Sequence, residues 1–306
     1  MDKEKGVDQK KRGNRFGFWF FRLSVRISGL RGAYGFLYIV CLYYLLFDRT
    51  SFSASMAYIK RRFKNYNLFQ RIYGVYRLMI SQGKNLIDRY YLISGQGKFD
   101  MEFQGYDKIK HFLSNPQKGF ILLTAHVGNW QVTMTALAKL ERTVYLLMLP
   151  EENTAVKESL NIDGETGTVR IISAADSLGS VVEAMKVIDE GNIVSIMGDR
   201  TYGNNSIEVD FLGGKVSLPY GAFTIAAAAQ CPVVVLLSAK VSEKKYITDA
   251  SHVIEPRFTS RGKKREDIRG FVQEFAVILE DYVATYPFQW FVFRDIWNEN
   301  SKTMTK

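Results

Sequence analysis

Gly119-Phe120-Ile121-Leu122-Leu123-Thr124-Ala125-His126-Val127-Gly128-Asn129-Trp130-Gln131 holds a strand pattern, a turn and a helix start in unbroken succession. Residues 120–123 are a short apolar run, as in a strand covered on both faces. Gly128 and Asn129 punctuate the turn, and Asn129 suits the N-cap of a helix over residues 130–140. His126 therefore falls at the carboxyl end of a strand beside a helix N-terminus, where open α/β sheets bind ligands. A neutral imidazole in that place can accept a proton from an attacking hydroxyl near pH 7. A histidine satisfied by local hydrogen bonds is the competing reading, and position alone does not separate the two.

Outward from this stretch the chain alternates strand and helix. Residues 101–103, 143–149, 169–173, 193–197, 232–239 and 246–254 read as strands. Residues 107–113, 178–189 and 267–286 read as helices, with breaks at Asn115-Pro116 and Gly191. This order predicts an α/β fold with a largely parallel central sheet flanked by helices. The strand at 193–197 runs into Gly198-Asp199-Arg200, so parallel strands would bring Asp199 and Arg200 to the rim that carries His126. The linker-like stretches are residues 151–167 and 259–265, and no internal repeat is present.

Charge divides the chain unevenly. Residues 1–80 contain 16 Lys and Arg against 4 Asp and Glu, a net +12, whereas the whole chain carries +10. All of the basic excess is thus N-terminal, which points to an anionic surface as partner. Residues 1–15 read as a basic disordered tail. Residues 16–27 mix aromatics with Arg22 and Arg26, and residues 32–47 carry no charge. The uncharged run is about 24 Å long as a helix, short of a hydrocarbon core of about 30 Å. It can cross with help from its flanks or lie re-entrant or in the interface, and a buried core helix is the competing reading, disfavoured by the adjoining arginines. No cleavage site follows it, so removal as a signal peptide is not expected. Residues 51–93 read as helical, with Tyr58, Phe63, Tyr66, Phe69, Tyr73, Tyr76 and Ile80 as an aromatic stripe expected to pack on the α/β domain. Residues 16–93 together form a helical membrane-associating region, and residues 94–306 the α/β domain. Nucleic acid is disfavoured as partner because no reader motif accompanies the basic residues. Cys41 and Cys231 lie apart in apolar surroundings and are expected to be reduced. With three histidines and no His/Cys cluster, no metal site is expected. A serine hydrolase lacks its Gly-x-Ser-x-Gly elbow.

The order His126, Gly128, Asn129, Trp130 and a side-chain oxygen at Gln131 resembles the His-x4-acid motif of bacterial lipid A biosynthesis acyltransferases, within the lysophospholipid acyltransferase superfamily. Asp199-Arg200, the block Phe211-Leu212-Gly213-Gly214 with Pro219-Tyr220-Gly221, and Tyr286-Pro287-Phe288-Gln289-Trp290-Phe291 resemble later blocks of the same family. The resemblance covers most of the chain beyond about residue 100. It implies a membrane-associated acyltransferase of the bacterial inner membrane, cytoplasmic face, moving a fatty acyl group without a cofactor. The donor would be acyl carrier protein, acyl-CoA or another thioester, and the acceptor a hydroxyl or amine of a lipid or glycolipid. By the same resemblance His126 is the general base and residue 131 its orienting partner, with Asp199 also in the site. Arg200 is the candidate for the developing oxyanion, with Arg170 as a second. Asn129, Trp130, Phe211, Gly213, Gly214, Pro219 and Gly221 would shape the substrate site. The sequence departs from the motif at Gln131, where the family has an acid. An amide can hold an imidazole but cannot stabilise imidazolium as a carboxylate does. The alternative reading is therefore a weak or inactive homologue that binds lipid or acts as a scaffold.

Overall fold

The central strand of the sheet is β2 (Phe120–Thr124), whose five residues are all buried. The computed structural model describes residues 15–130, 132–133, 142–148, 169–175, 177–201, 205–291 and 293–297. Before β2 come α1 (Arg15–Phe47), α2 (Arg49–Arg62), α3 (Leu68–Ile93), β1 (Asp100–Gln104) and α4 (Tyr106–Leu113). After it come β3 (Val144–Met148), β4 (Val169–Ser173), α5 (Ser177–Asp189), β5 (Ile193–Met197), β6 (Ser206–Phe211) and β7 (Gly214–Pro219). The chain continues through α6 (Gly221–Ala229), β8 (Val233–Lys240), β9 (Lys245–Ile254) and α7 (Lys264–Thr285).

Seven strands form the sheet in the order β1-β9-β8-β2-β5-β3-β4. Every neighbouring pair is parallel except β8 and β9. Strand alternation sorts the apolar side chains to the two faces. Ile121, Leu123, Val194, Val233 and Val235 face a large core shared with α1, α2, α3 and α7. Phe120, Leu122, Ile193, Val234 and Leu236 face a smaller one covered by Ile109 of α4. The N-terminal helices thus join the main core through Leu37, Ile59 and Val75.

Several boundaries differ from the sequence expectation. Residues 51–93 are two helices, because Asn67 opens α3 with a reciprocal capping box to Gln70. The aromatic stripe also divides. Tyr58 is buried, but Phe69 and Tyr73 are exposed and do not pack on the domain. The block around Gly213 and Gly214 forms a two-stranded antiparallel hairpin, β6–β7, which is not among the strands expected from sequence. Its tight end places Leu212 and Gly213 at positive φ, where glycine relieves one of the two strained positions. Residues 1–14, Gln131 and residues 151–167 lie outside the described residues. The helix expected over 130–140 is described only at Trp130, Val132 and Thr133.

Candidate active site

β2 and β5 are parallel and in register, with Thr124 opposite Met197. Two residues further along each chain stand His126 and Asp199, level with one another on the same rim. The Gly198 N–H donates to the Thr124 carbonyl at 2.8 Å and keeps the two segments together past the strand ends. Asp199 Oδ1 is 2.8 Å from His126 Nδ1, and Asp199 Oδ2 accepts the His126 backbone N–H at 2.8 Å. The second acceptor position of Oδ2 is filled by Trp290 Nε1–H at 3.0 Å. Asp199 is fully buried, whereas the His126 side chain is 18% exposed.

Burial alone would raise the Asp199 carboxyl pKa. The field of His126, its two hydrogen bonds and the nearby Arg200 outweigh burial and hold it below the ordinary carboxylate range. An ionised carboxylate only accepts, so Nδ1 carries the ring proton and Nε2 is the nitrogen with a free lone pair. That is the arrangement of a general base whose imidazolium is stabilised from behind by a buried carboxylate. A carboxylate against the imidazole, which the resemblance sought at residue 131, is supplied by Asp199, 73 positions after His126.

The turn after His126 is locked from two sides. Asn129 Oδ1 accepts the Val132 N–H, its Nδ2 donates to the Asn85 carbonyl of α3, and its own N–H donates to Ser238 Oγ of β8. Asn85 Nδ2 donates in turn to the Gly128 carbonyl. At Gly128, φ is 58° and a Cβ would lie 2.0 Å from the Ser238 carbonyl oxygen, so only glycine fits. On the other side the C-terminal segment pairs with the turn. The Phe291 N–H donates to the His126 carbonyl, the Gly128 N–H donates to the Gln289 carbonyl, and Val127 and Trp290 form an antiparallel bridge. This segment delivers the Trp290 indole to Asp199.

The other residues singled out from sequence separate by position. Arg200 donates from Nη2 to the Phe291 carbonyl at 2.7 Å, so part of its guanidinium is committed to the clasp around His126. Arg170 is on β4, the edge strand, separated from β2 by β3 and β5 and stacked near Tyr145. With neighbouring strands about 4.8 Å apart it sits three spacings from the base, too far for an oxyanion role. Asn129 and Phe211 are buried and hold structure: Phe211 meets Trp290 edge-on at 5.1 Å and stacks on Trp297 at 6.2 Å. Trp130 is half-buried on the opposite face of the sheet. Gly213 and Gly214 form the hairpin end, Pro219 closes β7, and Gly221 begins α6. Among the described residues no group of three His, Cys, Asp or Glu could hold a metal ion. Cys41 and Cys231 are buried free thiols.

Sequence reasoning did not identify Trp290, Gln289, Asn85 or Ser238 as parts of the site. The only signal for the first two was their place in the closing aromatic block. Asn85 carried a fainter one, as an amide that α3 buries among apolar neighbours.

The structure is thus a largely parallel α/β sheet with a carboxylate-backed histidine at its carboxyl rim. The family model described as bacterial lipid A biosynthesis acyltransferase matches residues 56–299, and the chain belongs to that family. It is therefore an acyltransferase by family. A search of curated proteins finds no match.

Proposed function

We propose that this chain transfers a fatty acyl group from a thioester donor, acyl carrier protein or a related carrier, to a hydroxyl or amine of a lipid or glycolipid such as a lipid A precursor. His126 Nε2 takes the proton as the acceptor oxygen or nitrogen bonds to the thioester carbonyl carbon. The tetrahedral oxyanion then collapses, the carbon–sulfur bond breaks, and the thiolate recovers that proton from the imidazolium. Asp199 holds the ring in the needed tautomer and offsets its transient charge. In this reading Arg200 holds Phe291, helps to keep Asp199 ionised and is the candidate donor to the oxyanion. The chemistry requires no metal or cofactor.

In this reading the reaction takes place at the cytoplasmic face of the bacterial inner membrane. Family membership, the basic N-terminal quarter and one N-terminal helix long and apolar enough to cross a bilayer support that placement. The observation that carries the catalytic reading is the 2.8 Å contact between His126 Nδ1 and buried Asp199. It supplies the carboxylate that Gln131 lacks, and so favours an enzyme over a scaffold. The test is transfer from a labelled acyl carrier protein to a panel of lipid acceptors, read by mass spectrometry. Acylated product from the wild type and none from His126→Ala is expected. No product from the wild type with any acceptor would favour the lipid-binding homologue.

A further inference from the structure

α1 bends at Gly29 (φ 66°, ψ −168°), and its second limb, residues 30–47, is about 27 Å long at about 1.5 Å per residue. That length approaches a hydrocarbon core of about 30 Å, so length leaves crossing open. The surroundings of the limb decide. One side, formed by Leu30, Ala33, Tyr34, Leu37 and Cys41, is buried and joins the main core alongside α3. There the Tyr34 hydroxyl donates to Asp88 of α3, and the Lys84 ammonium lies 5.2 Å from the Tyr34 ring and 5.7 Å from the Tyr38 ring. The Tyr76 hydroxyl donates to the Tyr38 carbonyl at 2.8 Å, tying the two helices again. A limb spanning the bilayer in this packing would carry Lys84 and Asp88, which lie against Tyr34 and Tyr38, into the hydrocarbon region, where charged side chains are costly. Detaching the limb instead would uncover a buried carboxylate and an apolar stripe of the protein core.

The opposite side is different. Phe36, Ile39, Leu42, Tyr43, Leu46 and Phe47 are exposed, and no charge interrupts them. Leu68, Phe69 and Tyr73 at the start of α3 are exposed as well, with Phe69 at 82%. At the ends of α1's limbs stand the exposed Arg26 and Arg49, with Arg22 over the Tyr90 ring and Arg31 paired with Glu243 of the α/β domain at 2.8 Å. A half-cylinder of apolar side chains with Arg26 and Arg49 toward its ends matches the boundary of an anionic leaflet, with acyl chains below and phosphates at the rim.

We infer that α1 docks side-on in one leaflet of an anionic phospholipid membrane and does not cross it. Its exposed face reaches the acyl region, and both ends of α1 stay on the side of the α/β domain. The inference rests on the membrane reading of the proposed function and goes beyond it by fixing the topology.

The test uses the full chain in inverted inner-membrane vesicles, whose outer face is the cytoplasmic one. Flotation of the vesicles comes first. Chain that fails to float with them would overturn the inference and the membrane reading together. Cysteines are then introduced singly by Lys5→Cys and Glu266→Cys, before α1 and in α7, with the parent chain and its two buried thiols as control. A membrane-impermeant maleimide should label both positions to the same extent without detergent. Labelling of Lys5→Cys that appears only after detergent would show a crossing and sink the inference, while leaving membrane binding intact. As a second measurement, fluorophores on Ile39→Cys, Leu42→Cys and Leu46→Cys should be quenched alike by shallow brominated lipids. Depth that changes steadily along the three positions would also overturn it.

Discussion

The imidazole of His126 is held by Asp199, and Asp199 in turn by Trp290, and each of these residues makes a separable prediction. His126→Ala should reduce acyl transfer to background if Nε2 is, as proposed, the proton acceptor. Asp199→Asn keeps the shape but loses the charge and the enforced tautomer. By analogy with carboxylate-to-amide changes in other histidine-based sites, it should lower turnover by about 10⁴-fold. Trp290→Phe keeps the aromatic packing and removes only the indole N–H on Asp199 Oδ2. Hydrogen bonds to charged groups contribute about 1.5–3 kcal/mol, so turnover should fall by roughly one to two powers of ten with KM little changed. Gln131→Ala should be milder than any of these, because Nδ1 already has a carboxylate. A Gln131→Ala loss equal to that of Asp199→Asn would contradict the pairing. Asp199 also predicts a pH signature of stability. Its folded carboxyl is held below the unfolded value of about 3.9. Its contribution is therefore complete above that value and is lost as pH falls through the folded one. The difference in Tm between wild type and Asp199→Asn should be largest near neutral pH and shrink below about pH 4.

Among the elements, those with a simple period were legible in the sequence. The strands at 169–173 and 193–197 fall where the apolar runs placed them, and β2 with its turn gave the position of His126. Parallel pairing then placed Asp199 on the same rim, although the contact between the two needed the in-register alignment of β2 with β5. The hairpin β6–β7 was not legible, because glycines at its turn dominated the short alternation on either side. Least legible was the polar layer between α1, α3 and β8. Asp88 and Lys240 are 152 positions apart, and nothing local announces that they meet. Asp88 is fully buried, with Lys240 Nζ at 2.6 Å and the hydroxyls of Tyr34 and Tyr246 donating to it. Burial raises the Asp88 carboxyl pKa and lowers that of the Lys240 ammonium, against their mutual attraction. Such a pair adds little net stability but is expensive to break. Asp88→Ala should destabilise the fold by about 3–5 kcal/mol by leaving the ammonium uncompensated. Asp88→Leu with Lys240→Met should recover most of that in chemical denaturation. The Lys240 backbone also grips the Gln289 side chain, next to Trp290. The single variant should therefore lose activity before it unfolds.

At the scale of the whole molecule, a basic N-terminal quarter and an acidic remainder are joined by one continuous core. The matched family region, residues 56–299, leaves α1 outside, yet α1 shares that core through Leu30, Ala33 and Leu37. Deleting α1 would therefore expose core surface and confuse loss of binding with loss of folding. Substitutions on its outer face avoid this, because Ile39, Leu42 and Leu46 are exposed at 70%, 49% and 65%. Burying a large aliphatic side chain stabilises by about 1.5–3 kcal/mol each, and this component is not screened by salt. Attraction between arginines and anionic headgroups adds about 1 kcal/mol per residue near the surface and is screened. The wild type should accordingly stay with sedimented membranes in concentrated salt and leave them in detergent. A triple variant, Ile39→Lys, Leu42→Glu and Leu46→Lys, adds only one net positive charge but removes the apolar face. It should keep the wild-type circular dichroism and melting curve while moving to the supernatant in concentrated salt. A triple variant that remains membrane-bound in concentrated salt would show that this face of α1 is not what holds the enzyme to the bilayer.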